Sequence, residues 1–101
     1  MKGKILIVDD LADFRKLLRE ALSDTHTVTE ADSKAALEKA FSQEQPDLVL
    51  LDVKLPDGNG LDMLPGIKKR WPETEVNFES PTEAPSEFAI VILDYLVIYT
   101  D

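Results

Sequence analysis

The alternation of short apolar runs with amphipathic helical segments is the feature that most constrains the fold of this chain. Residues 5–8 (Ile-Leu-Ile-Val) and 48–51 (Leu-Val-Leu-Leu) are continuous apolar runs, which is typical of strands buried on both faces of a parallel sheet. Between them, Phe14, Leu17 and Leu18 recur at helical spacing among charged residues. Such alternation over residues 4–70 predicts an α/β fold, an open parallel sheet with right-handed crossovers and helices on both faces.

The individual elements can be placed from apolar period and from turn residues. The sequence predicts strands at residues 4–8, 27–31 and 47–51, and helices at residues 11–23, 35–41 and 61–70. Ser33 suits the N-cap of the second helix, because its hydroxyl can accept a hydrogen bond from a backbone N–H of the first turn. Residues 56–60, Pro-Asp-Gly-Asn-Gly, are predicted to form a flexible loop. Pro65 falls about one turn into the third helix, where proline is tolerated.

The last part of the chain has a different character. Residues 74–78 could form a short strand, and residues 88–99 are nearly all apolar. The β-branched and aromatic content of this second segment favours a strand, with a helix starting near Pro85 as the alternative. An apolar segment without a covering helix favours pairing with a second copy of the chain. We therefore expect a homodimer or a higher oligomer formed through residues 88–99.

Composition and charge limit the classes of function. With 101 residues the chain is expected to be a single domain. The net charge is −9, and the seven acids of residues 71–101 are accompanied by no Lys or Arg. This balance argues against direct binding to nucleic acid or to an anionic membrane, and favours cations and basic partner surfaces. The absence of cysteine fits a reducing compartment, and residues 88–99 are too few to cross a bilayer, so we expect a cytoplasmic protein.

Three aspartates follow the two most apolar runs. Asp9 and Asp10 come directly after the first run, and Asp52 comes directly after the second. If the two strands are neighbours, these carboxylates meet at the carboxyl edge of the sheet, where mutual repulsion favours a cation. Mg²⁺ fits, because it prefers oxygen ligands and leaves room for phosphate oxygens. Asp52 is the better candidate nucleophile toward phosphorus, while N-capping of the next helix is an alternative role for Asp10.

Three motifs match a known family at the right spacing. Residues 4–10 (Lys-Ile-Leu-Ile-Val-Asp-Asp), 46–52 (Pro-Asp-Leu-Val-Leu-Leu-Asp) and 55–61 (Leu-Pro-Asp-Gly-Asn-Gly-Leu) resemble the receiver domain of two-component response regulators, of the type found in enhancer-binding transcriptional regulators. The resemblance covers residues 1–76, whereas residues 77–101 diverge. It implies a flavodoxin-like sheet and phosphorylation of Asp52 by a histidine kinase or a phosphotransfer protein. It also implies Mg²⁺ held by Asp9 or Asp10, Asp52 and the backbone carbonyl of Lys54.

The resemblance also implies a Ser or Thr at the end of the fourth strand and a Lys at the end of the fifth. Ser80 lies 28 residues after Asp52, which suits the hydroxyl position. A competing alignment makes residues 88–93 the fourth strand and puts Asp94 in the place of the hydroxyl. No Lys or Arg follows Arg70, and the sequence stops before the final helix of the family. We therefore expect an altered carboxyl-terminal portion.

The favoured function is a phosphoacceptor receiver module, a signalling domain rather than an enzyme with turnover. The first alternative is an oligomerisation or interaction module that keeps the receiver fold but does not relay phosphate. A Mg²⁺-dependent phosphatase with an aspartyl intermediate fits less well, because Lys54 stands where a general acid would follow Asp52.

Overall fold

The computed structural model describes residues 3–79, and these residues form one four-stranded sheet with helices on both faces and a separate two-stranded hairpin. The sheet strands are β1 (Gly3–Val8), β2 (His26–Ala31), β3 (Leu48–Asp52) and β6 (Glu75–Glu79). A small antiparallel hairpin after β3 consists of β4 (Lys54–Leu55) and β5 (Gly58–Asn59). The helices are α1 (Ala12–Leu22), α2 (Lys34–Ala40) and α3 (Leu64–Arg70), and a 3₁₀ turn at Gly60–Met63 leads into α3.

The sheet is parallel, with the strand order β2-β1-β3-β6. Strand β1 lies between β2 and β3, so that Ile5 is opposite Val28 on one side and Leu48 on the other. The connection after β1 leads to β2 on one side and the connection after β3 leads to β6 on the other, so the strand order reverses between β1 and β3, as in a doubly wound sheet. Within residues 3–79 the structure contains no helix of the length and apolarity needed to cross a bilayer.

Each face of the sheet has its own apolar core. On one face, Leu18 and Leu22 of α1 pack against Ile5, Ile7 and Leu50. The other face is covered by α2 and α3, and its core also contains an edge-to-face pair of aromatic rings. The members of this second core are Leu6, Val8, Ala31, Leu37, Val49, Leu51, Leu55, Met63, Ile67 and Trp71. Burial on both faces explains why the runs in β1 and β3 are continuously apolar.

Most predicted elements are confirmed, with shifts at their ends. Ser33 is the N-cap of α2, and its side chain accepts a hydrogen bond from the Ala36 N–H. The third strand runs to Asp52, one residue beyond the prediction. The predicted third helix was wrong in its first turn, which is a 3₁₀ turn, and this places Pro65 in the first turn of α3, where a missing N–H costs no helical hydrogen bond. The loop predicted at residues 56–60 consists of the turn and second strand of the β4–β5 hairpin and of Gly60, the first residue of the 3₁₀ turn.

The strand beside β3 is β6. Glu75 to Glu79 pair in register with Leu48 to Asp52, which is the position that the alignment with Ser80 at the hydroxyl position requires for the fourth strand. Val76 packs against the core under α2 and α3, and the residues on either side of it, Glu75 and Asn77, are polar. This alternation is typical of a half-buried strand. Ser80, Asp94 and residues 88–99 lie outside the described residues, so the predictions made for them stay predictions.

A buried threonine ties the start of β6 to the start of β3. Thr74 is only 1% exposed. Its hydroxyl donates a 2.6 Å hydrogen bond to the carbonyl oxygen of Pro46. Thr74→Val is expected to lower the free energy of unfolding by about 1–2 kcal/mol, because it leaves that buried carbonyl without its donor. Urea denaturation would measure the change. Thr27→Val, at an exposed position of β2, is the matched control and should stay within about 0.5 kcal/mol of the wild type.

Candidate functional site

The three aspartates meet at the carboxyl edge of the sheet. Strands β1 and β3 are hydrogen-bonded neighbours with Val8 opposite Leu51, so the residues that follow emerge side by side. One carboxylate oxygen from each of Asp9, Asp10 and Asp52 lies within 4.8 Å of the other two. Asp9 and Asp52 are buried, whereas Asp10 is exposed. The sequence prediction that these side chains converge is therefore confirmed.

Local hydrogen bonds hold the buried carboxylates in place. The Leu11 N–H donates to Oδ1 of Asp9 at 2.8 Å, and Nη1 of Arg15 donates to the carbonyl oxygen of Asp9 at 2.6 Å. The Lys54 N–H donates to Oδ1 of Asp52 at 3.1 Å. Within the described part of the chain, no donor reaches Oδ2 of Asp52, although this atom is buried. The N-cap of α1 is Leu11, so the alternative role of Asp10 as the helix cap is wrong.

The electrostatics of Asp52 follow from this burial. Loss of solvation raises the pKa of Asp52 to about 6, the hydrogen bond from the Lys54 N–H opposes the rise, and the charges of Asp9 and Asp10 add to it. At neutral pH the carboxylate is ionised in surroundings that disfavour its charge. A cation close to Oδ2 would compensate for the lost solvation.

The donor set suits a hard divalent cation. A buried oxygen without a hydrogen-bond partner, such as Oδ2 of Asp52, is exceptional in a folded protein, and a bound ion would account for it. Three carboxylates at this spacing supply the oxygen ligands that Mg²⁺ prefers, and the exposed Asp10 leaves one side open to solvent. The residues therefore fit Mg²⁺, and Asp9, Asp10 and Asp52 could hold it.

The segment after Asp52 packs very closely against it. The Gly60 N–H donates to the carbonyl oxygen of Val53 at 2.7 Å. A Cβ atom on Gly60 would lie 2.1 Å from the carbonyl oxygen of Asp52 and 3.1 Å from its carbonyl carbon. Sequence reasoning interpreted Gly60 only as a flexible loop residue, whereas the structure requires glycine there because backbone approaches backbone.

Asp57 is a further residue of this region that sequence reasoning missed. It lies at the turn of the β4–β5 hairpin, and its two carboxylate oxygens accept hydrogen bonds from the N–H groups of Lys34 and Ala35 at the start of α2. The signal in the sequence was a Pro-Asp-Gly turn, which predicts a bend but not a contact with a helix 23 residues away.

A parallel sheet of this strand order, with acidic side chains where the strand order reverses, defines a flavodoxin-like α/β domain with a polar site at its switch point. The chain belongs to the response regulator receiver domain family, whose sequence profile matches residues 5–95. The resemblance noted from the three motifs is thus confirmed, and the match extends beyond residue 76.

Individual relatives agree with this assignment. The chain is 34% identical over 97 residues to a protein-glutamate methylesterase/protein-glutamine glutaminase of Pyrococcus horikoshii, covering 93% of this chain and 26% of the relative. It is 41% identical over 75 residues to the DNA-binding transcriptional regulator NtrC of a Bradyrhizobium species, covering 73% of this chain and 16% of the relative. The chain thus spans only 26% and 16% of the length of these two curated relatives.

Solved structures show the same fold. The non-phosphorylated HemR receiver domain of Leptospira biflexa superposes with a TM-score of 0.72 at 31% identity, covering 91% of this chain and 76% of that one. A BeF3-activated receiver domain of DrrB superposes with a TM-score of 0.75 at 23% identity, covering 95% and 98%. The chain is therefore a receiver domain in sequence and in fold, and such a domain is a signalling module.

Proposed function

We propose that this receiver domain accepts a phosphoryl group on Asp52 from a histidine kinase or a phosphotransfer protein, with Mg²⁺ bound by Asp9, Asp10 and Asp52. The observation that carries this proposal is the buried, unpartnered Oδ2 of Asp52 beside two further carboxylates. The backbone carbonyl of Lys54 is proposed as an additional ligand, and Ser80, directly after β6, as the switch hydroxyl.

The chemistry assigns separate roles to the two oxygens of Asp52. Oδ1 is engaged by the Lys54 N–H, which fixes the carboxylate plane. Oδ2 keeps its lone pairs and attacks phosphorus, so that an O–P bond forms as the bond between phosphorus and the donor nitrogen or oxygen breaks. Bound Mg²⁺ supplies positive charge that offsets the phosphoryl oxygens. Asp9 and Asp10 supply the carboxylates that place this charge next to Asp52.

The wider setting belongs to the same proposal. Since the chain spans 26% of the methylesterase relative and 16% of NtrC, an attached output domain would read the phosphorylated state. We place the protein in the cytoplasm, where its kinase would act, and assign it no direct contact with nucleic acid. We further propose self-association through residues 88–99, which static light scattering across micromolar concentrations would test. A monomer mass throughout would refute it.

Asp52→Asn is expected to abolish phosphorylation. Wild-type protein incubated with Mg²⁺ and acetyl phosphate should gain one phosphoryl group by intact mass spectrometry, because the free Oδ2 of Asp52 is a carboxylate oxygen. The asparagine variant has no anionic nucleophile at this position and should gain none. Asp62→Asn is the matched control, since Asp62 is exposed in the 3₁₀ turn that follows the hairpin and forms a 4.0 Å ion pair with Lys34. This control should be labelled like the wild type.

Two results would contradict the proposal in different ways. An adduct that persists in Asp52→Asn would refute the assignment of the phosphoacceptor. Wild-type protein that gains no adduct from acetyl phosphate or a kinase would refute the relay function and favour the non-relaying interaction module.

A further inference from the structure

The β4–β5 hairpin is a short bridge between the candidate phosphoacceptor and helix α2. It begins two residues after Asp52, where the Lys54 N–H donates to Oδ1 of that aspartate. It ends at Asn59, and the next residue, Gly60, donates its N–H to the carbonyl oxygen of Val53. Lys54 pairs with Asn59 and Leu55 with Gly58, so the turn at residues 56 and 57 moves with the backbone that flanks Asp52.

Asp57, at the turn of this hairpin, accepts hydrogen bonds from the first residues of α2. Its Oδ1 accepts the Lys34 N–H at 2.8 Å, and its Oδ2 accepts the Ala35 N–H at 3.0 Å. These hydrogen bonds, led by the one from Lys34, lower the pKa of Asp57 below its usual value, so the carboxylate is charged throughout the neutral range. A negative charge at this end of the helix also complements the helix dipole.

Packing supports the same contact. Gly58 has a φ of +145°, a conformation that favours glycine, and a Cβ atom there would lie 3.0 Å from Nζ of Lys34 and 3.1 Å from its Cδ. The side chain of Lys34 therefore lies directly over the hairpin. The third N–H of the helix, from Ala36, is capped separately by Ser33, a residue of the same segment. Thus one cap is local to α2, and the other, Asp57, joins α2 to the hairpin.

We propose that Asp57 is a positioning residue for the metal site: by fastening the hairpin to α2, it fixes the backbone of Lys54 and thereby sets the affinity for Mg²⁺. This inference rests on the proposed function only in taking the three aspartates and the Lys54 carbonyl as the Mg²⁺ site. Loss of groups that orient metal ligands typically weakens metal binding about 10-fold or more.

The test compares Asp57→Ala and Asp57→Asn with Ser33→Ala in the full chain. All three remove or weaken a cap of the same helix, but only the Asp57 variants release the hairpin. Calorimetric titration with Mg²⁺ should show about 10-fold weaker binding for Asp57→Ala, a smaller loss for Asp57→Asn, which keeps one acceptor oxygen, and wild-type affinity for Ser33→Ala. Hydrogen exchange without metal should show faster exchange of the Lys54 and Gly60 amides in Asp57→Ala only.

The outcomes separate this inference from the proposed function. Unchanged Mg²⁺ affinity in Asp57→Ala, or an equal loss in Ser33→Ala, would overturn the positioning role even if all variants are phosphorylated on Asp52. Wild-type protein that binds Mg²⁺ but gains no phosphoryl group would overturn the proposed function. The Mg²⁺ affinities of the Asp57 and Ser33 variants would still decide the role of Asp57. Wild-type protein that binds no Mg²⁺ would overturn both.

Discussion

Gly60→Ala is expected to destabilise the protein by about 3 kcal/mol and to slow phosphorylation of Asp52 by about 100-fold or more. The added methyl group would lie 2.1 Å from the carbonyl oxygen of Asp52 and 3.3 Å from Cγ of Leu51. Backbone and a fully buried leucine surround it, so the hairpin has to move away from β3. Such a shift displaces the Lys54 N–H, which holds the Asp52 carboxylate. Urea denaturation and the rate of adduct formation would measure the two effects.

Gly66→Ala provides the matched control. Gly66 lies in α3, and a Cβ atom there would meet the ring of Phe41 at 3.9 Å, an ordinary contact. Replacing a helical glycine by alanine is expected to stabilise the protein by about 0.5–1 kcal/mol and to leave phosphorylation unchanged. A Gly60→Ala variant as stable and as active as Gly66→Ala would show that the close approach of Gly60 to β3 does not exist in solution.

Metal-free wild-type protein is expected to lose stability relative to Asp52→Asn as the pH rises from about 4 to about 6. The pKa of Asp52 is raised to about 6 from an ordinary value of 3.8, so between these values the folded state keeps a proton that the unfolded state releases. Stability therefore falls as pH rises in this window and stays low above it. For the fully buried Asp52, the rise in pKa from 3.8 to about 6 corresponds to a loss of about 3 kcal/mol in the free energy of unfolding.

The comparison of the two proteins isolates this effect. Urea denaturation at pH 7.5 without metal should find Asp52→Asn more stable than the wild type by up to about 3 kcal/mol, and the difference should vanish near pH 4. Mg²⁺ at 100 times its dissociation constant should then stabilise the wild type by about 2.7 kcal/mol, with little effect on the variant. Equal stabilities of the two metal-free proteins at pH 7.5 would contradict the raised pKa.

The convergence of Asp9 and Asp52 could be predicted because it depends on strong local patterns. Two continuous apolar runs identify strands buried on both faces, and parallel neighbours end at the same edge of a sheet. The motif spacing then led to the receiver family, which the match to residues 5–95 confirms. The end of β3 was misplaced by one residue, because the apolar pattern stops at Leu51 while the ladder continues to Asp52.

The hairpin after β3 could not be predicted. Residues 56–60 carry turn residues that favour any flexible loop, and pairing of Lys54 with Asn59 leaves no apolar pattern to detect. The short strand predicted at residues 74–78 is confirmed as β6, but its polar residues gave no indication of its ladder with β3. Its partner lies more than 20 residues away, and no local property of residues 75–79 specifies that pairing.

By itself, the sequence determined the strands of the main sheet, the helices that cover them and the identity of the three acidic residues, because burial and helical period set the order of apolar and polar residues. Only the tertiary structure decided that Asp52 keeps one buried oxygen without a partner, that Gly60 lies against its carbonyl group, and that Asp57 caps a helix from another segment. These properties depend on distances of a few ångströms between residues far apart in the chain, which no local pattern encodes.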